Sequence, residues 1–136
     1  MITAVDTSVL LDVFTGDASF GPKSRDALRA ARSTGAVVAC DVVWAEVAAA
    51  FPDDESATHA LGVLGVAFVA LESRDALRAG RAWRDYRRAG GGRDRMIADF
   101  LIGAHASAQA DCLLTRDRGF YRRYFSDLRI TGPSVR

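Results

Sequence analysis

Short apolar, β-rich runs alternate with segments of helical periodicity along the whole chain. The runs lie at residues 2–5, 36–40, 66–71, 112–115 and 128–131, and the stretches between them carry apolar side chains three and four positions apart. Strands separated by helices are joined by crossover connections, which give parallel pairing. The alternation therefore predicts a three-layer α/β fold with a central, mainly parallel sheet flanked by helices.

Several helical segments have recognisable ends. Pro22 favours a helix start and Gly35 a helix end. Asp41 is a candidate N-cap for a helix over residues 42–51. Further helices are predicted over residues 8–14, from 53 to 64, after Ser73, from about 95 to 108 and, as a short aromatic turn, near 120–125.

Length and composition limit the class of protein. A chain of 136 residues fits one domain, which we assign to residues 1–136, and 49% hydrophobic with 26% charged residues excludes general disorder. The longest apolar runs, at 42–51 and 62–71, are too short to span a bilayer. No basic segment precedes the first apolar run, so we expect no signal peptide, no membrane partner and a cytoplasmic protein. Cys40 and Cys112 are too few for a zinc site and are predicted to be buried thiols.

The charge is unevenly distributed although the net charge is only +1. Residues 1–73 carry ten acidic and four basic side chains, whereas residues 74–136 carry seven acidic and fourteen basic ones. The two parts thus have net charges of −6 and +7. This division suits a cation-binding site beside a surface that binds a polyanion, although arginines on solvated helix faces would give the same count.

Four acidic residues lie where an acid has no obvious structural role. Asp6 directly follows the first strand and Asp117 lies just beyond the fourth, so both are predicted at the carboxyl ends of parallel strands, where such sheets bind ligands. Glu46 and Asp99 lie in largely apolar helical segments. Asp6 and Asp117 could each be only a helix cap, so the argument depends on the set.

Ionised carboxylates in apolar surroundings are costly unless an arginine, a raised pKa, a helix N-terminus or a bound cation offsets the charge. Oxygen ligands without a histidine or cysteine cluster favour Mg²⁺ or Mn²⁺ over zinc. No nucleophile is evident, and a basic region flanks the acids. The pattern indicates metal-assisted hydrolysis of a phosphodiester, in which the cation lowers the pKa of a water and stabilises charge on the phosphate.

Four segments resemble the motifs of the PIN-domain ribonucleases, most closely the VapC-type toxins of bacterial toxin–antitoxin pairs. Residues 5–10 (VDTSVL) are similar to the opening strand and acid, and residues 43–47 (VWAEV) to the segment with the helical glutamate. Residues 99–106 (DFLIGAHA) and 113–120 (LLTRDRGF) are similar to the third and fourth acidic motifs. All four occur in the family's order and together span nearly the whole chain.

The resemblance implies a PIN-like fold and a Mg²⁺- or Mn²⁺-dependent endoribonuclease that is a toxin. It also implies a homodimer, an RNA substrate and a cognate antitoxin that covers the active site. The catalytic residues it implies are Asp6, Glu46, Asp99 and Asp117. Of these, Asp6, Asp99 and Asp117 would hold the metal, and the hydroxyls of Ser8 and Thr115 would assist.

Two features near the fourth motif refine this expectation. Some relatives carry a further acid after the fourth one, whereas this chain has Arg118 and Gly119, which puts a second metal site in doubt. Arg116 and Arg118 are candidates for phosphate contacts, with Arg93 and Arg95 weaker ones.

Two other classes of function stay open at this point. A catalytically inactive module could bind RNA or a protein through the arginine-rich part. A receiver-like signalling domain also gathers carboxylates at strand ends and binds Mg²⁺, but it needs a lysine after a late strand. The chain has one lysine, Lys23, which is far too early for that role.

Overall fold

Five short parallel strands form the centre of the fold. The computed structural model describes residues 1–133. Its strands, numbered along the chain, are β1 Thr3–Val5, β2 Val37–Ala39, β3 Val66–Phe68, β4 Cys112–Leu114 and β5 Ile130–Thr131. They pair in the order β3-β2-β1-β4-β5, and every pair is parallel. The predicted parallel sheet is confirmed, with strands shorter than the apolar runs suggested.

Seven helices occupy the connections between the strands in the described part of the chain. Their bounds are α1 Thr7–Thr15, α2 Gly21–Thr34, α3 Asp41–Ala48, α4 Asp54–Val63, α5 Ser73–Arg88, α6 Ile97–Gln109 and α7 Arg118–Tyr124. One cap prediction is wrong, because Asp41 is the first residue of α3 and not its N-cap. The Asp41 carboxylate instead accepts a hydrogen bond from the backbone N–H of Leu71 at 2.8 Å.

The core lies between the sheet and the helices. Burial of the sheet on both faces explains why the central strands are unbroken apolar runs in the sequence. Every residue of β1, β2 and β4 is buried, as expected when both faces of a parallel sheet are covered. The edge strand β3 exposes Ala67 and Phe68. Helices α5 and α6 pack together, with the Tyr86 and Phe100 ring centroids 5.5 Å apart.

The strand order fixes where a ligand can bind. β1 lies at the centre of the sheet, and the chain proceeds outward to β2 and β3 on one side and to β4 and β5 on the other. A crevice opens at such a switch point, outside the carboxyl ends of the two diverging strands. Receiver domains have a different strand order, 2-1-3-4-5, so the receiver-like alternative is wrong.

Two smaller expectations can also be compared with the structure. Cys40 and Cys112 are both buried free thiols, as predicted. Among the helices of residues 1–133, none combines the length and the apolar character that crossing a membrane requires.

Candidate active site

The four predicted acids lie together in one pocket at the carboxyl ends of β1 and β4. The pocket has a volume of about 430 Å³. Asp6 follows β1, Asp117 follows β4, and α3 and α6 bring in Glu46 and Asp99. The full lining is Asp6, Thr7, Ser8, Glu46, Asp99, Arg116 and Asp117.

Asp6 is the most buried acid of the pocket, with 8% of its surface exposed. It occupies the N-cap position of α1, but its carboxylate makes no capping hydrogen bond. Instead, Thr115 Oγ1 donates to Asp6 Oδ2 at 2.7 Å, and Ser8 Oγ lies 3.5 Å from the same oxygen. Burial raises the pKa of Asp6 to about 6, and the charges of Asp99 and Glu46 add to the rise, although the Thr115 hydrogen bond opposes it.

Thr115 links the first and fourth acids. Its side chain is completely buried. While Oγ1 donates to Asp6, it accepts a hydrogen bond from the backbone N–H of Asp117 at 2.9 Å. The hydroxyl therefore fixes the turn after β4 against the end of β1, which sets the position of Asp117 relative to Asp6.

Asp117 is not a helix cap either, because its side chain makes no capping bond at the start of α7. Its carboxylate forms an ion pair with the guanidinium of Arg95. Arg95 also stacks on the Phe120 ring, with its guanidinium carbon 4.2 Å from the ring centroid. Arg95, a weak phosphate candidate in the sequence, is thus a direct partner of the fourth acid.

Glu46 and Asp99 are less buried than their apolar neighbours in sequence suggested. Glu46 is exposed, and Asp99 is only partly buried. Thr7 Oγ1 donates to Glu46 Oε1 at 2.6 Å. Asp99 accepts a hydrogen bond from the backbone N–H of Met96 at 3.2 Å, as a residue in the first turn of a helix can. The expectation of a costly buried charge therefore holds for Asp6 alone.

Arg116 lies at the pocket, as predicted, and a buried carboxylate holds it there. Its Nη2 donates to Asp12 Oδ1 at 3.0 Å, and its Nε lies 2.8 Å from Asp12 Oδ2 in an ion pair. Asp12 is 4% exposed and also accepts from Ser24 Oγ at 2.8 Å. The guanidinium carbon lies 4.2 Å from the centroid of the Phe20 ring. Arg118 is placed differently, since it donates to the Pro133 carbonyl oxygen at 2.8 Å and does not line the pocket.

Sequence reasoning missed two residues that shape this site, Thr7 and Asp12, and it missed the pairing of Arg95 with Asp117. Asp12 carried a usable signal, because it is an acid between Leu10 and Val13 on the apolar side of α1. A buried acid in such a stripe requires a partner. Nothing in the sequence, however, indicates that the partner is Arg116, 104 positions away.

The residues of the pocket have the donor chemistry of a hard divalent cation. All the candidate ligands are carboxylate oxygens, and Mg²⁺ needs only one or two of them when waters and substrate phosphates complete its shell. Within residues 1–133, no group of three or more Asp, Glu, His or Cys side chains is arranged to hold a metal ion as it stands. One of the four carboxylates, Asp117, is paired with Arg95.

A buried hydroxyl near the acids also lacks a partner. Tyr121 is 1% exposed, and in the described residues its hydroxyl oxygen makes no hydrogen bond. Burial raises its pKa well above the usual value, and the charges of Asp6 and Asp99 raise it further. Buried polar groups normally have a protein or water partner. The orphaned hydroxyl therefore fits a site that takes up further ligands.

Comparisons with known proteins support the fold. Rickettsia felis VapBC2 bound to a promoter DNA fragment matches with 16% identity and a TM-score of 0.76, over 98% of this chain and 100% of that chain. VapBC-1 from nontypeable Haemophilus influenzae matches with 20% identity and a TM-score of 0.71, over 97% of this chain and 98% of that chain. A toxin–antitoxin complex from Klebsiella pneumoniae matches with 18% identity and a TM-score of 0.71, over 97% of this chain and 98% of that chain.

A search of curated protein sequences gave no match. The family model described as the PIN domain, in contrast, matches residues 3–126, which is most of the chain and includes all four acids. The chain therefore belongs to the PIN domain family.

Proposed function

We propose that this protein is a metal-dependent endoribonuclease and the toxin of a toxin–antitoxin pair. The observation that carries the proposal is the convergence of Asp6, Glu46, Asp99 and Asp117 in one pocket, with the anchored Arg116 at its side. Carboxylates that hold a cation, next to a fixed guanidinium, suit the hydrolysis of a phosphodiester.

The residues have three kinds of role in this reaction. Asp6, Asp99 and Asp117 would hold Mg²⁺ or Mn²⁺, which would supply a water of lowered pKa and positive charge opposite the phosphate. Glu46, oriented by the Thr7 hydroxyl, positions the attacking water and accepts its proton. Within residues 1–133, Arg116 has N–H groups that are not used by its contacts with Asp12, and these would contact the scissile phosphate.

The partners that we propose are suggested by the solved structures of similar fold. Solved structures of similar fold include VapBC proteins and a toxin–antitoxin complex, so we propose a cognate antitoxin that covers the acidic pocket and a homodimeric toxin that acts on RNA in the cytoplasm. Co-expression with the product of a small adjacent reading frame is expected to yield a stable complex in which RNA cleavage is suppressed.

The direct test is cleavage of RNA by the purified protein. We expect cleavage with Mg²⁺ or Mn²⁺ and none with EDTA. The Glu46→Gln variant is expected to lose roughly a hundred- to ten-thousand-fold in rate, because the amide cannot accept the proton of the water. Glu55→Gln, in the exposed first turn of α4, is the matched control and should cleave like the wild type.

A different outcome would support the inactive binding module. In that case RNA would bind in a salt-dependent manner, without cleavage, and binding would survive both EDTA and Glu46→Gln. Equal cleavage rates in Glu46→Gln and wild type would contradict the role of Glu46 in the proposed reaction.

The Thr115 hydroxyl gives a further prediction. Thr115→Val keeps the side-chain shape but removes the bonds to Asp6 and Asp117. We expect a roughly ten- to hundred-fold loss of metal affinity or activity, as is usual when a group that orients metal ligands is removed. Because the hydrogen bond from Thr115 lowers the pKa of Asp6, the acidic limb of the pH–rate profile should also move to higher pH.

Thr131→Val is the control for this substitution, since Thr131 is exposed on the edge strand β5. A Thr115→Val variant whose pH–rate profile and Mn²⁺ affinity match those of Thr131→Val would show that the hydroxyl plays no part in organising the acids.

A further inference from the structure

A second concave surface lies beside the acidic pocket, where α5 meets the connection to α6. Two adjoining depressions of about 510 and 460 Å³ share Trp83 and Arg87. We call their combined surface the α5 groove. Its lining is Gly80, Trp83, Arg84, Arg87, Arg88, Gly91, Gly92, Arg93, Arg95, Met96 and Ile97.

The groove combines uncompensated positive charge with an aromatic ring. Within residues 1–133, Arg84, Arg87, Arg88 and Arg93 have no acidic partner within 4.0 Å. The positive charges of Arg87 and Arg88 stabilise the C-terminus of α5 through their interaction with the helix dipole. Arg93 lies beyond the end of that helix, so this explanation does not apply to it. The Arg87 guanidinium carbon is 5.6 Å from the Trp83 ring centroid, and Trp83 itself is only partly buried.

The wall of the groove is held in place by a tyrosine. The Tyr86 hydroxyl lies 2.9 Å from the Gly92 carbonyl oxygen and 2.8 Å from Asp94 Oδ1. A side chain at Gly91 would have its Cβ only 2.5 Å from the Tyr86 ring. The connection after α5 is therefore tied closely to the helix, so the groove exists before any ligand binds.

The α5 groove reaches the acidic pocket through one side chain. Arg95 lines the groove and pairs with Asp117, which lines the pocket. Arg95 therefore connects the two surfaces.

We propose that the α5 groove binds an unpaired nucleotide that flanks the cleaved bond, with the base stacked on Trp83 and the neighbouring phosphates on Arg84, Arg87 and Arg93. This rests on the proposed ribonuclease function and names the form of RNA, a single strand. Aromatic rings beside a basic track are the usual means of binding single-stranded nucleic acid, because every base offers a face for stacking. An acidic peptide would satisfy the arginines but would leave Trp83 without a role.

Fluorescence of Trp83 tests the groove without any need for catalysis. Trp44→Phe removes the other tryptophan, so that Trp83 becomes the sole reporter. In EDTA, a ten-nucleotide oligouridine is expected to quench Trp83, whereas a duplex of equal length is not. Arg87→Ala should weaken binding roughly ten-fold, which is the size expected for losing one stacking or phosphate contact. Arg29→Ala, an exposed arginine on α2, should not weaken it.

Kinetics provide the second readout. Trp83→Leu is expected to raise KM for single-stranded RNA roughly ten-fold with little change in kcat, because stacking binds the substrate away from the reacting phosphate. Trp83→Phe, which keeps a ring and the packing, should restore most of the affinity. Thermal unfolding of both variants shows whether a change in KM reflects the groove or a loss of folding.

The outcomes separate this proposal from the proposed function. Cleavage by Trp83→Leu with wild-type KM, together with no quenching by oligouridine, would overturn the groove and leave the nuclease intact. If the duplex quenched Trp83 as strongly as oligouridine does, the proposed stacking of an unpaired base would be contradicted. If polyglutamate quenched it as strongly, the groove would instead bind an acidic protein. If the wild type cleaves no RNA, the fluorescence titration still decides whether the groove binds a single strand.

Discussion

Replacing Asp6 by asparagine is expected to abolish RNA cleavage and at the same time to raise the free energy of unfolding at neutral pH. The pKa of Asp6 rises from 3.8 to about 6 on folding, so the folded state binds this proton more tightly than the unfolded state. As the pH rises from about 4 to above 6, the folded protein therefore loses stability, by about 3 kcal/mol at most. Asparagine carries no charge and avoids this loss.

Urea unfolding at two pH values, without metal, measures this effect. We expect Asp6→Asn to be more stable than wild type by roughly 1–3 kcal/mol at pH 8 and by nothing below pH 4. Cleavage should fall by more than roughly a hundred-fold, since even groups that only orient a metal ligand cost ten- to a hundred-fold. Mn²⁺ should stabilise the wild type and reduce the difference at pH 8.

Asp26→Asn is the matched control, because Asp26 is exposed and forms only a surface ion pair with Arg25. It should change neither cleavage nor the pH dependence of unfolding. An Asp6→Asn variant that is less stable than wild type at pH 8 would contradict an unfavourable buried charge at Asp6.

The second large effect concerns the helix that carries Asp99. An alanine at Gly103 in α6 would place its Cβ 2.4 Å from the Phe125 ring. Phe125 is completely buried, so its ring can move only if the side chains packed around it also shift. We expect Gly103→Ala to lower the free energy of unfolding by roughly 3 kcal/mol, the upper part of the usual range for overpacking. Calorimetric or urea unfolding measures this loss.

The same substitution at another helical glycine is the control. Apart from its chain neighbours and the backbone of its own helix, no atom of residues 1–133 lies within 4 Å of the Cβ position of Gly80 in α5, so Gly80→Ala should stabilise the protein by roughly 0.5–1 kcal/mol through helix propensity. Similar stability changes in the two variants would contradict close packing of α6 on Phe125. Because α6 must shift to relieve the contact, Gly103→Ala should also reduce cleavage through displacement of Asp99.

The general fold and the grouping of acids could be predicted because they depend on local pattern. Buried strands separated by helices define a parallel sheet, and an acid directly after such a strand lies at its carboxyl end whatever the detailed packing. Asp6 and Asp117 could therefore be placed before the structure was available. Helix ends were less accurate, since α6 begins at Ile97 and α3 already ends at Ala48.

The partners of these acids could not be predicted, because they depend on contacts between distant parts of the chain. The hydroxyl that binds Glu46 comes from Thr7, 39 positions earlier. Arg116 reaches Asp12 only when α1 and the end of β4 are neighbours. The apolar neighbours of Glu46 in the sequence suggested that its side chain is buried, whereas it is exposed. A helix can place one polar residue on its solvent-facing side even when the adjacent residues are apolar.

In the proposed nuclease, the ion pair between Arg95 and Asp117 would make the binding of the RNA phosphate and the binding of the divalent ion energetically interdependent. An anion that attracts the guanidinium leaves the carboxylate uncompensated, which strengthens its hold on a divalent ion. By thermodynamic linkage, the bound ion would then increase the affinity of Arg95 for the anion by the same factor. The arginine that pairs with Asp117 would thus be the residue through which the two proposed ligands promote each other's binding.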